Sequence, residues 1–305
     1  MLKTTRKGNW MEIITPKNWA GKTIEEIFRK VWEVPKKLTH QLRMEHNVFV
    51  NGNKANWTTP LEIGDKVLLK LFEEVVPLIT LDFFYDLQVL YEDDHVIVFN
   101  KPPFMSTHPN DESDKSTLLH AAQFYVQSKG EKVTIRQVHR LDKDTTGAIL
   151  FAKHALSGTI LDRLLEKHEI KRTYLAIVDG HIKTKKGTIS EPIGRDRHHA
   201  TRRRVSPSGQ SASTHYQLIK EEKGHSYIKC WLETGRTHQI RVHFSHIGHP
   251  LLGDTLYGGK PLFKRQALHA AKLEFKHPIT SEDIICCAPF IDQPSIFKGI
   301  DVYNI

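Results

Sequence analysis

The residues with the clearest chemical potential lie in one stretch, HRLDKDTTGAILFAK, at positions 139 to 153. Its polar part stands between two strand-like segments, IRQV and GAILF, which places Asp142 on a loop at the rim of a sheet. Loops fixed by rigid strands are where reactive side chains are usually held. A carboxylate at such a rim can act as a nucleophile or a base, although a lone aspartate more often caps a turn.

A candidate cationic partner comes from the segment RTHQIRVHFSHIG, whose spacing predicts a helix. The apolar face of this helix consists of Ile240, Phe244 and Ile247. Its polar face consists of His238, Arg241 and Ser245. Burial beside a flat ligand raises the pKa of a carboxyl group, and a guanidinium in bidentate reach opposes that rise. Arg241 can therefore point to a reactive carboxylate while its neighbours are buried, although most arginines pair with acidic neighbours at the surface.

Two metal-dependent alternatives compete with this interpretation. LDKDTTG fits the DxDx[TV] pattern of phosphatases, with Asp142 as nucleophile and Asp144 as acid. His139 and Arg140 interrupt the buried strand that this pattern requires, and no convincing acidic pair for Mg²⁺ follows downstream. A zinc site lacks the HExxH spacing and a nearby cysteine, despite the histidines of the predicted helix, which are His238, His243, His246 and His249. We expect no metal.

The elements that must position these residues indicate an α+β fold. Strand-like VIVF, GAILF and KRTYLAIVDG are joined by a helical segment, LSGTILDRLLEKHEI, and a hairpin turns at residues 222–224. Hairpins mixed with a few helices favour α+β over regular βαβ winding. A smaller unit precedes them, with a helical segment from Thr23, another after Pro35, and strands at VFVNGNKA and KVLLKLF. We predict domains at 1–76 and 77–305, with a linker near 77–81; the first ten residues have no interpretation.

Charge and composition limit the kinds of molecule that this protein is expected to bind and the compartment in which it is expected to act. The 305 residues carry 44 Lys and Arg against 35 Asp and Glu, a net charge of +9 that suits a polyanionic partner or simple solubility. Three cysteines, two of them adjacent, fit a reducing compartment. No apolar run is long enough for a membrane span, so we expect a cytoplasmic protein with no membrane partner, and a monomer as its simplest state. The stretch GRDRHHATRRRV predicts an exposed loop or loose hairpin. Its arginines either contact RNA phosphates or form a solvated surface; they are Arg195, Arg197, Arg202, Arg203 and Arg204.

The stretch around Asp142 resembles the HRLDxxTSG signature of the RluA-type pseudouridine synthases, which are typified by the large-subunit ribosomal RNA enzymes; Thr146 stands where that family usually has Ser. Four further stretches follow the order of that family: YEDDHVIVFNKPPFMSTHP, KRTYLAIVDG, LETGRTHQIRVHFSHIGHPLLGD and LHAAKLEFKHP. One departure is Pro103-Phe104, where related chains commonly have Ala-Gly. The resemblance implies the pseudouridine synthase fold, a mixed and mainly antiparallel sheet with flanking helices.

The same resemblance implies an enzyme that isomerises uridine to pseudouridine in ribosomal or transfer RNA, with no cofactor. By position, Asp142 matches the catalytic aspartate, Tyr174 the active-site tyrosine and Arg241 the basic partner of the carboxylate. A target base would be flipped out of its stack and held by aromatic and apolar side chains, Tyr174 among them. Tyr174 could also remove the C5 proton. The carboxylate could attack the ribose, abstract a neighbouring proton or attack the uracil ring, and the residues leave these three routes open.

The N-terminal unit resembles the S4 RNA-binding module in its helix pair, its "VNG" and its later "GD" before an apolar strand. That resemblance implies phosphate contacts from Arg29, Lys30, Lys36, Lys37 and Arg43. Around the expected site, the residues assigned to RNA are Arg140, Arg202, Arg203, Arg204, Arg236 and His238. The non-enzymatic alternative is an RNA-binding or chaperone-like protein in which the S4-like unit does the work.

Overall fold

The computed structural model describes residues 2–72, 86–109, 111 and 114–305. These residues form a five-stranded sheet near the N-terminus, a ten-stranded sheet in the larger unit and a separate two-stranded ribbon. Helices flank the large sheet, whose pairings are antiparallel except for one. The predicted α+β class is confirmed. Across the described ranges, no helix combines the length and the apolar character that crossing a membrane would require.

The N-terminal sheet has the strand order β1-β2-β5-β3-β4. Its strands are β1 Thr4–Lys7, β2 Trp10–Ile14, β3 Val48–Val50, β4 Asn53–Lys54 and β5 Lys66–Lys70. Its helical segments are the 3-10 turn Lys17–Trp19, α1 Ile24–Glu26, the π-helical turn Ile27–Val31 and α2 Lys36–Met44. The first ten residues, to which the sequence patterns assign no structure, thus supply β1 and the first residue of β2.

The helical segment after Thr23 differs from the regular helix that its spacing predicts. A capping box starts it, because the Thr23 hydroxyl accepts from Glu26 N and the Glu26 carboxylate accepts from Thr23 N. After one α-helical turn the hydrogen bonding widens to the π pattern. Ile27 and Phe28 are buried. Regular helical spacing would place Val31 on the same apolar stripe, but it is exposed.

The large sheet has the order β11-β14-β15-β10-β16-β9-β7-β6, with β17 paired to β16 and β8 to β9. The first half of its strands are β6 Gln88–Glu92, β7 Val96–Lys101, β8 Arg136–Gln137, β9 Thr146–Ala152 and β10 Lys171–Asp179. The others are β11 Lys186–Ser190, β14 Ser213–Glu222, β15 His225–Leu232, β16 Leu268–Lys276 and β17 Asp283–Cys287. β12 Ile193–Arg195 and β13 Arg203–Val205 form the ribbon. The predicted hairpin is β14-β15, turned at Lys223 and Gly224, both with positive φ.

Three α-helices and two 3-10 turns accompany this sheet. They are α3 Leu118–Ser128, α4 Ala155–Glu166, α5 Gln239–His246, Thr255–Tyr257 and Val302–Asn304. In α5, Ile240 and Phe244 are buried as predicted. Ile247 was predicted to share their face but lies beyond the helix end and is exposed, because the last helical residue is His246.

One close approach explains the glycine at the end of HRLDKDTTG. Strands β9 and β16 run parallel, with Gly147 opposite Ala270. Gly147 has φ +113°, and a Cβ built on it would lie 2.2 Å from the Ala270 carbonyl oxygen. Only glycine fits this backbone conformation at this distance. Beside it, the Thr146 hydroxyl and His269 Nδ1 are hydrogen bonded at 2.7 Å, so the motif fixes the start of β9 against β16.

The N-terminal unit is packed onto the larger one through a shared core. A single cluster of buried apolar side chains runs from Met11 to Ile279 and includes Phe72. Around it, Arg6 Nη1 lies 3.0 Å from Glu131 Oε2, and Arg163 of α4 donates to Glu33. The predicted boundary between 1–76 and 77–305, with its linker near 77–81, falls in residues 73–85, outside the described residues.

Two buried histidines lie at this junction under the ring of Phe72. His154 Nδ1 accepts from Ser157 N at 3.1 Å, so its Nε2 donates to His95 Nδ1, 2.9 Å away. His95 Nε2 can then donate to the Thr4 hydroxyl at 3.2 Å. Burial lowers the pKa of His95 from 6.5 to about 4, and burial also lowers the pKa of His154. Both rings are therefore held neutral in the folded protein.

We predict that acid destabilises this junction between pH 6.5 and about 4. In that window the unfolded histidines bind protons that the folded ones do not, so stability falls as the pH is lowered, by about 1.4 kcal/mol per pH unit for each histidine. Urea unfolding at a series of pH values measures this slope. His95→Asn should flatten it, whereas His40→Asn, at an exposed position, should not. Equal slopes in the wild type and His95→Asn would contradict the assignment.

Candidate active site

A cleft of about 550 Å³ opens where β10, the end of β15 and the start of α5 meet the 139–145 loop. Its apolar lining includes Leu141, Leu165, Leu232, Ile240 and Leu268. Its polar lining includes Arg140, Asp142, Arg172, Tyr174, Arg236, His238 and Arg241. The three residues matched to catalytic positions, Asp142, Tyr174 and Arg241, thus face one cavity, together with three of the residues assigned to RNA.

Asp142 lies on the loop between β8 and β9, at the rim of the sheet as predicted. Its own carbonyl accepts from Thr145 N at 3.0 Å, which closes a tight turn. The Thr107 hydroxyl donates to the carbonyl of Leu141 at 2.8 Å and accepts from its N–H at 3.1 Å. The loop is therefore held on both sides, while the Asp142 side chain keeps 16% of its surface exposed to the cleft.

Arg241 joins Asp142 to a second carboxylate. Its Nη1 lies 3.1 Å from Asp142 Oδ2, while its Nε and Nη2 form a bidentate pair with Asp254 at 2.7 and 2.9 Å. The sequence analysis predicted a bidentate contact with Asp142. This was wrong, because the Nε and Nη2 atoms of Arg241 pair with Asp254 and only Nη1 contacts Asp142. Burial lowers the pKa of Arg241, but the hydrogen bond to Asp254 and the charge of Asp142 outweigh that effect and raise it. The guanidinium stays charged.

His238 precedes α5 instead of lying on it. It is the N-cap residue with φ 58°, in the left-handed region, yet its side chain contacts Tyr257, as do those of Arg241 and Ser245, with which it was predicted to share a face. Its Nδ1 is hydrogen bonded to the Tyr257 hydroxyl at 2.8 Å, and its Nε2 lies 4.0 Å from Asp142 Oδ1. Burial lowers the pKa of His238 more than the charge of Asp142 raises it. A neutral imidazole beside the carboxylate results.

Tyr174 lies on β10, paired with Cys230 on one side and Ala270 on the other. It is 4% exposed, and its ring contributes to the wall of the cleft. Burial raises the pKa of Tyr174, the charge of Arg172 opposes this rise, and the charge of Asp142 adds to it. The phenol is therefore uncharged at neutral pH.

Lys101 was missed by the sequence analysis, although it ends the apolar run VIVFNK. Its fully buried ammonium donates to the carbonyls of Pro102, Met105 and Lys143 at 2.7 to 2.8 Å. Burial lowers its pKa from 10.5 to about 7. Lys101 thereby ties the turn before α3 to the residue after Asp142. In that turn Phe104 has φ 62°, a region that favours glycine, which is the residue related chains commonly have there.

The remaining residues assigned to RNA fall into two groups. Arg202, Arg203 and Arg204 lie at the ribbon β12-β13, as the predicted loose hairpin, but Arg202 is paired with Asp196 at 2.6 Å. Arg203 N donates to the Tyr257 hydroxyl that also contacts His238, which joins the ribbon to the cleft. In the N-terminal unit, Lys36 and Lys37 are exposed on α2. Three other basic residues there pair with acidic neighbours; they are Arg29 and Arg43 with Glu25, and Lys30 with Glu26.

Three of the four histidines considered for zinc, His238, His243 and His249, make hydrogen bonds to other groups. His243 is buried, with Nδ1 at 2.9 Å from the Thr214 hydroxyl and Nε2 at 2.9 Å from the Glu191 carbonyl oxygen. His249 Nδ1 lies 2.8 Å from the Asp179 carbonyl oxygen. In the part of the chain that the structure describes, no three or more His, Cys, Asp or Glu residues are grouped so that they could hold a metal ion.

Two family models match this chain. Residues 95–246 match the model described as RNA pseudouridylate synthase, which covers the Asp142 loop, β10 and α5. Residues 11–67, the unit that resembles S4, match the model described as the RluD ribosomal pseudouridine synthase N-terminal domain. The two matches lie in the order that the sequence resemblance implied.

Individual relatives agree with these matches. The uncharacterized RNA pseudouridine synthase YhcT of Bacillus subtilis is 43% identical over 288 residues, 93% of this chain and 95% of that protein. The ribosomal large subunit pseudouridine synthase D of Haemophilus influenzae is 43% identical over 68% of each chain. Among solved structures, human RNA pseudouridylate synthase domain containing 1 aligns with a TM-score of 0.56 and 26% identity, over 71% of this chain and 86% of that one. The chain therefore belongs to the RNA pseudouridine synthase family, isomerases that act on RNA.

Proposed function

We propose that this protein converts specific uridines of ribosomal or transfer RNA to pseudouridine, with Asp142 as the catalytic carboxylate. The observation that carries the proposal is the placement of that carboxylate inside a cleft, 3.1 Å from an arginine that a second carboxylate orients. Such an arrangement fixes the direction of a nucleophile or base in a partly desolvated site. Its partners Tyr174 and Arg241 line the same cleft.

The reaction needs only rearrangement of the substrate's own atoms. The bond between N1 of uracil and C1′ of ribose breaks, a bond between C5 and C1′ forms, C5 loses a proton and N1 gains one. No electron leaves or enters, so the proposal involves no cofactor and no metal. Asp142 can attack C1′, remove a neighbouring ribose proton or add to the uracil ring, and all three routes begin with a carboxylate directed into the cleft.

Tyr174 suits the role of a stacking surface for the flipped base. Its ring forms part of the wall beside Leu268 and Ile240, which gives a uracil an aromatic neighbour and apolar ones. Acting as a base for the C5 proton would require the phenolate form, which burial disfavours. We therefore assign Tyr174 to holding the base. It could remove the C5 proton only after the ring becomes more exposed to solvent.

Ribosomal RNA is the favoured substrate class. The N-terminal model and the relative from Haemophilus influenzae both carry names that refer to the ribosome or its large subunit. The net charge of +9 suits a long polyanion of either kind. Mapping pseudouridines in total RNA from cells with and without the gene distinguishes the classes: sites lost from transfer RNA alone would exclude ribosomal RNA.

Replacing Asp142 with Asn is expected to abolish pseudouridine formation, by on the order of a thousandfold or more, while RNA affinity changes little. The fold should persist because Arg241 keeps its bidentate partner Asp254. Turnover is measured by tritium release from C5-labelled RNA with chelator present, and affinity by filter binding. Asp162→Asn, which removes an exposed carboxylate, is the matched control. Full activity in Asp142→Asn would reject the assignment, and a wild type that modifies no uridine would favour the purely RNA-binding alternative.

Asp254 is proposed as a positioning residue that acts through Arg241. Asp254→Asn should lower kcat by about tenfold or more while KM for RNA stays the same, because the guanidinium loses its orientation and not its place in the cleft. Removing one partner of a buried pair should also cost about 3 to 5 kcal/mol of stability, seen in urea unfolding. A parallel rise in KM with unchanged kcat would show that Asp254 serves RNA binding instead.

The ribbon β12-β13 is proposed to grip RNA phosphates beside the cleft. Replacing Arg202, Arg203 and Arg204 with Ala should weaken RNA binding and reduce its dependence on salt, by about 0.7 to 0.9 in the logarithmic slope for each phosphate that is no longer neutralised. Arg202→Ala alone should have a smaller effect because Arg202 is already paired with Asp196. Equilibrium binding at several salt concentrations tests both. An unchanged slope in the triple variant would place the ribbon outside the RNA interface.

A further inference from the structure

One buried arginine in the cleft has no partner among the described residues. Three arginines of those ranges are buried: Arg172, Arg241 and Arg265. Arg241 is paired with Asp254 and Asp142, and Arg265 with Asp292 and several carbonyls. Arg172 is 9% exposed, yet it makes no hydrogen bond or ion pair with any described residue, and its Nε is buried without an acceptor. The two other arginines show what this one lacks.

An unpaired buried guanidinium is costly. Taking a cation out of water costs several kcal/mol unless an anion and hydrogen-bond acceptors compensate for the lost hydration. Nearly all buried polar groups in folded proteins have such partners. When a cation without such a partner lines a cavity that receives a ligand, we expect the ligand to supply the missing acceptors.

The position of Arg172 directs it toward substrate. It lies on β10 two residues before Tyr174, and both line the cleft. The opposite wall passes close to it, because a Cβ built on Gly235 would lie 3.2 Å from Arg172 Nη1. Glycine at that position leaves room for the guanidinium. Its charge reaches the cleft interior, where it counteracts the effect of burial on the pKa of the Tyr174 phenol.

The carboxylates that line the cleft do not neutralise the charge of Arg172. Asp142 is held by Arg241, and Glu233 lies 2.7 Å from His215. Glu166, the other acidic residue of the lining, forms no ion pair with Arg172. The remaining charged neighbours in the lining, Arg140 and Arg236, are cations. Within the described residues, the cleft thus has an unfilled requirement for negative charge at Arg172.

We propose that Arg172 binds a phosphodiester group of the RNA strand next to the flipped uridine. The inference rests on the proposed function and adds to it the part of the substrate that this arginine recognises. A guanidinium offers two parallel N–H donors that match two phosphate oxygens, and phosphate supplies the anion that uracil carbonyls cannot. Such a contact carries no sequence information, and it anchors the strand in register so that the target base meets Tyr174 and Asp142.

The test uses the full-length protein and a fluorescent oligouridylate of about twelve nucleotides as the probe. Arg172→Gln removes the charge at similar side-chain length. Arg172→Lys keeps the charge but loses the two parallel N–H donors of the guanidinium. As a control, Arg136→Gln removes a half-exposed arginine outside the cleft. Binding is measured at several salt concentrations. Arg172→Gln should weaken binding about tenfold and reduce the logarithmic salt slope by about 0.7, the contribution of one neutralised phosphate. Arg172→Lys should keep the slope, and Arg136→Gln should resemble the wild type.

A second probe and a stability measurement separate this role from a structural one. An oligouridylate with neutral methylphosphonate linkages should bind the wild type and Arg172→Gln equally. Without RNA, Arg172→Gln should unfold at the same or a higher urea concentration, because it removes an uncompensated buried charge. A destabilised variant with an unchanged slope, or no oligouridylate binding by the wild type at low salt, would overturn the proposal.

The outcome is independent of catalysis. A reduced slope in Arg172→Gln together with no pseudouridine formation by the wild type would support the phosphate contact and reject the proposed reaction. Pseudouridine formation with unchanged slopes would support the reaction and reject the contact.

Discussion

The site depends on one interaction, the pairing of a cleft carboxylate with an arginine that another carboxylate orients. Arg241 reaches Asp142 through a single nitrogen because its other edge is occupied by Asp254. This arrangement joins three separate parts of the chain: the rim loop before β9, the first turn of α5 and the segment before Thr255. A guanidinium bound on two sides has little freedom to turn, so the direction of the Asp142 contact is set before any substrate enters.

Much of this arrangement was accessible from the sequence. The rim position of Asp142 followed from polar residues between two strands, and the helix that carries Arg241 followed from apolar spacing. Asp254 ends one of the stretches that resemble the family, but its role depends on a fold that brings residues 13 positions apart face to face. The left-handed backbone at His238 and the π turn after Glu26 leave no periodic signal, because each is a local departure from the repeat that such patterns measure.

The buried basic residues also have roles that sequence patterns do not reveal and tertiary packing does. Lys101, Arg172 and Arg265 all stand in apolar strands or beside them, where sequence patterns favour side chains without charge. What distinguishes them is the set of acceptors that each one meets in the described structure: three carbonyls for Lys101, a carboxylate and carbonyls for Arg265, and none for Arg172. That set is a property of tertiary structure, and so is the functional difference between a structural cation and one that awaits an anion.

The core shared between the N-terminal sheet and the larger domain has a consequence for how such proteins diversify. Phe72 covers the His95 and His154 rings, and Thr4 accepts the last hydrogen bond of that chain. An N-terminal unit from a distant relative would have to match this surface side chain by side chain. The unit is therefore not an interchangeable cassette, because exchanging it would also require changes in the surface of the larger domain that packs against it.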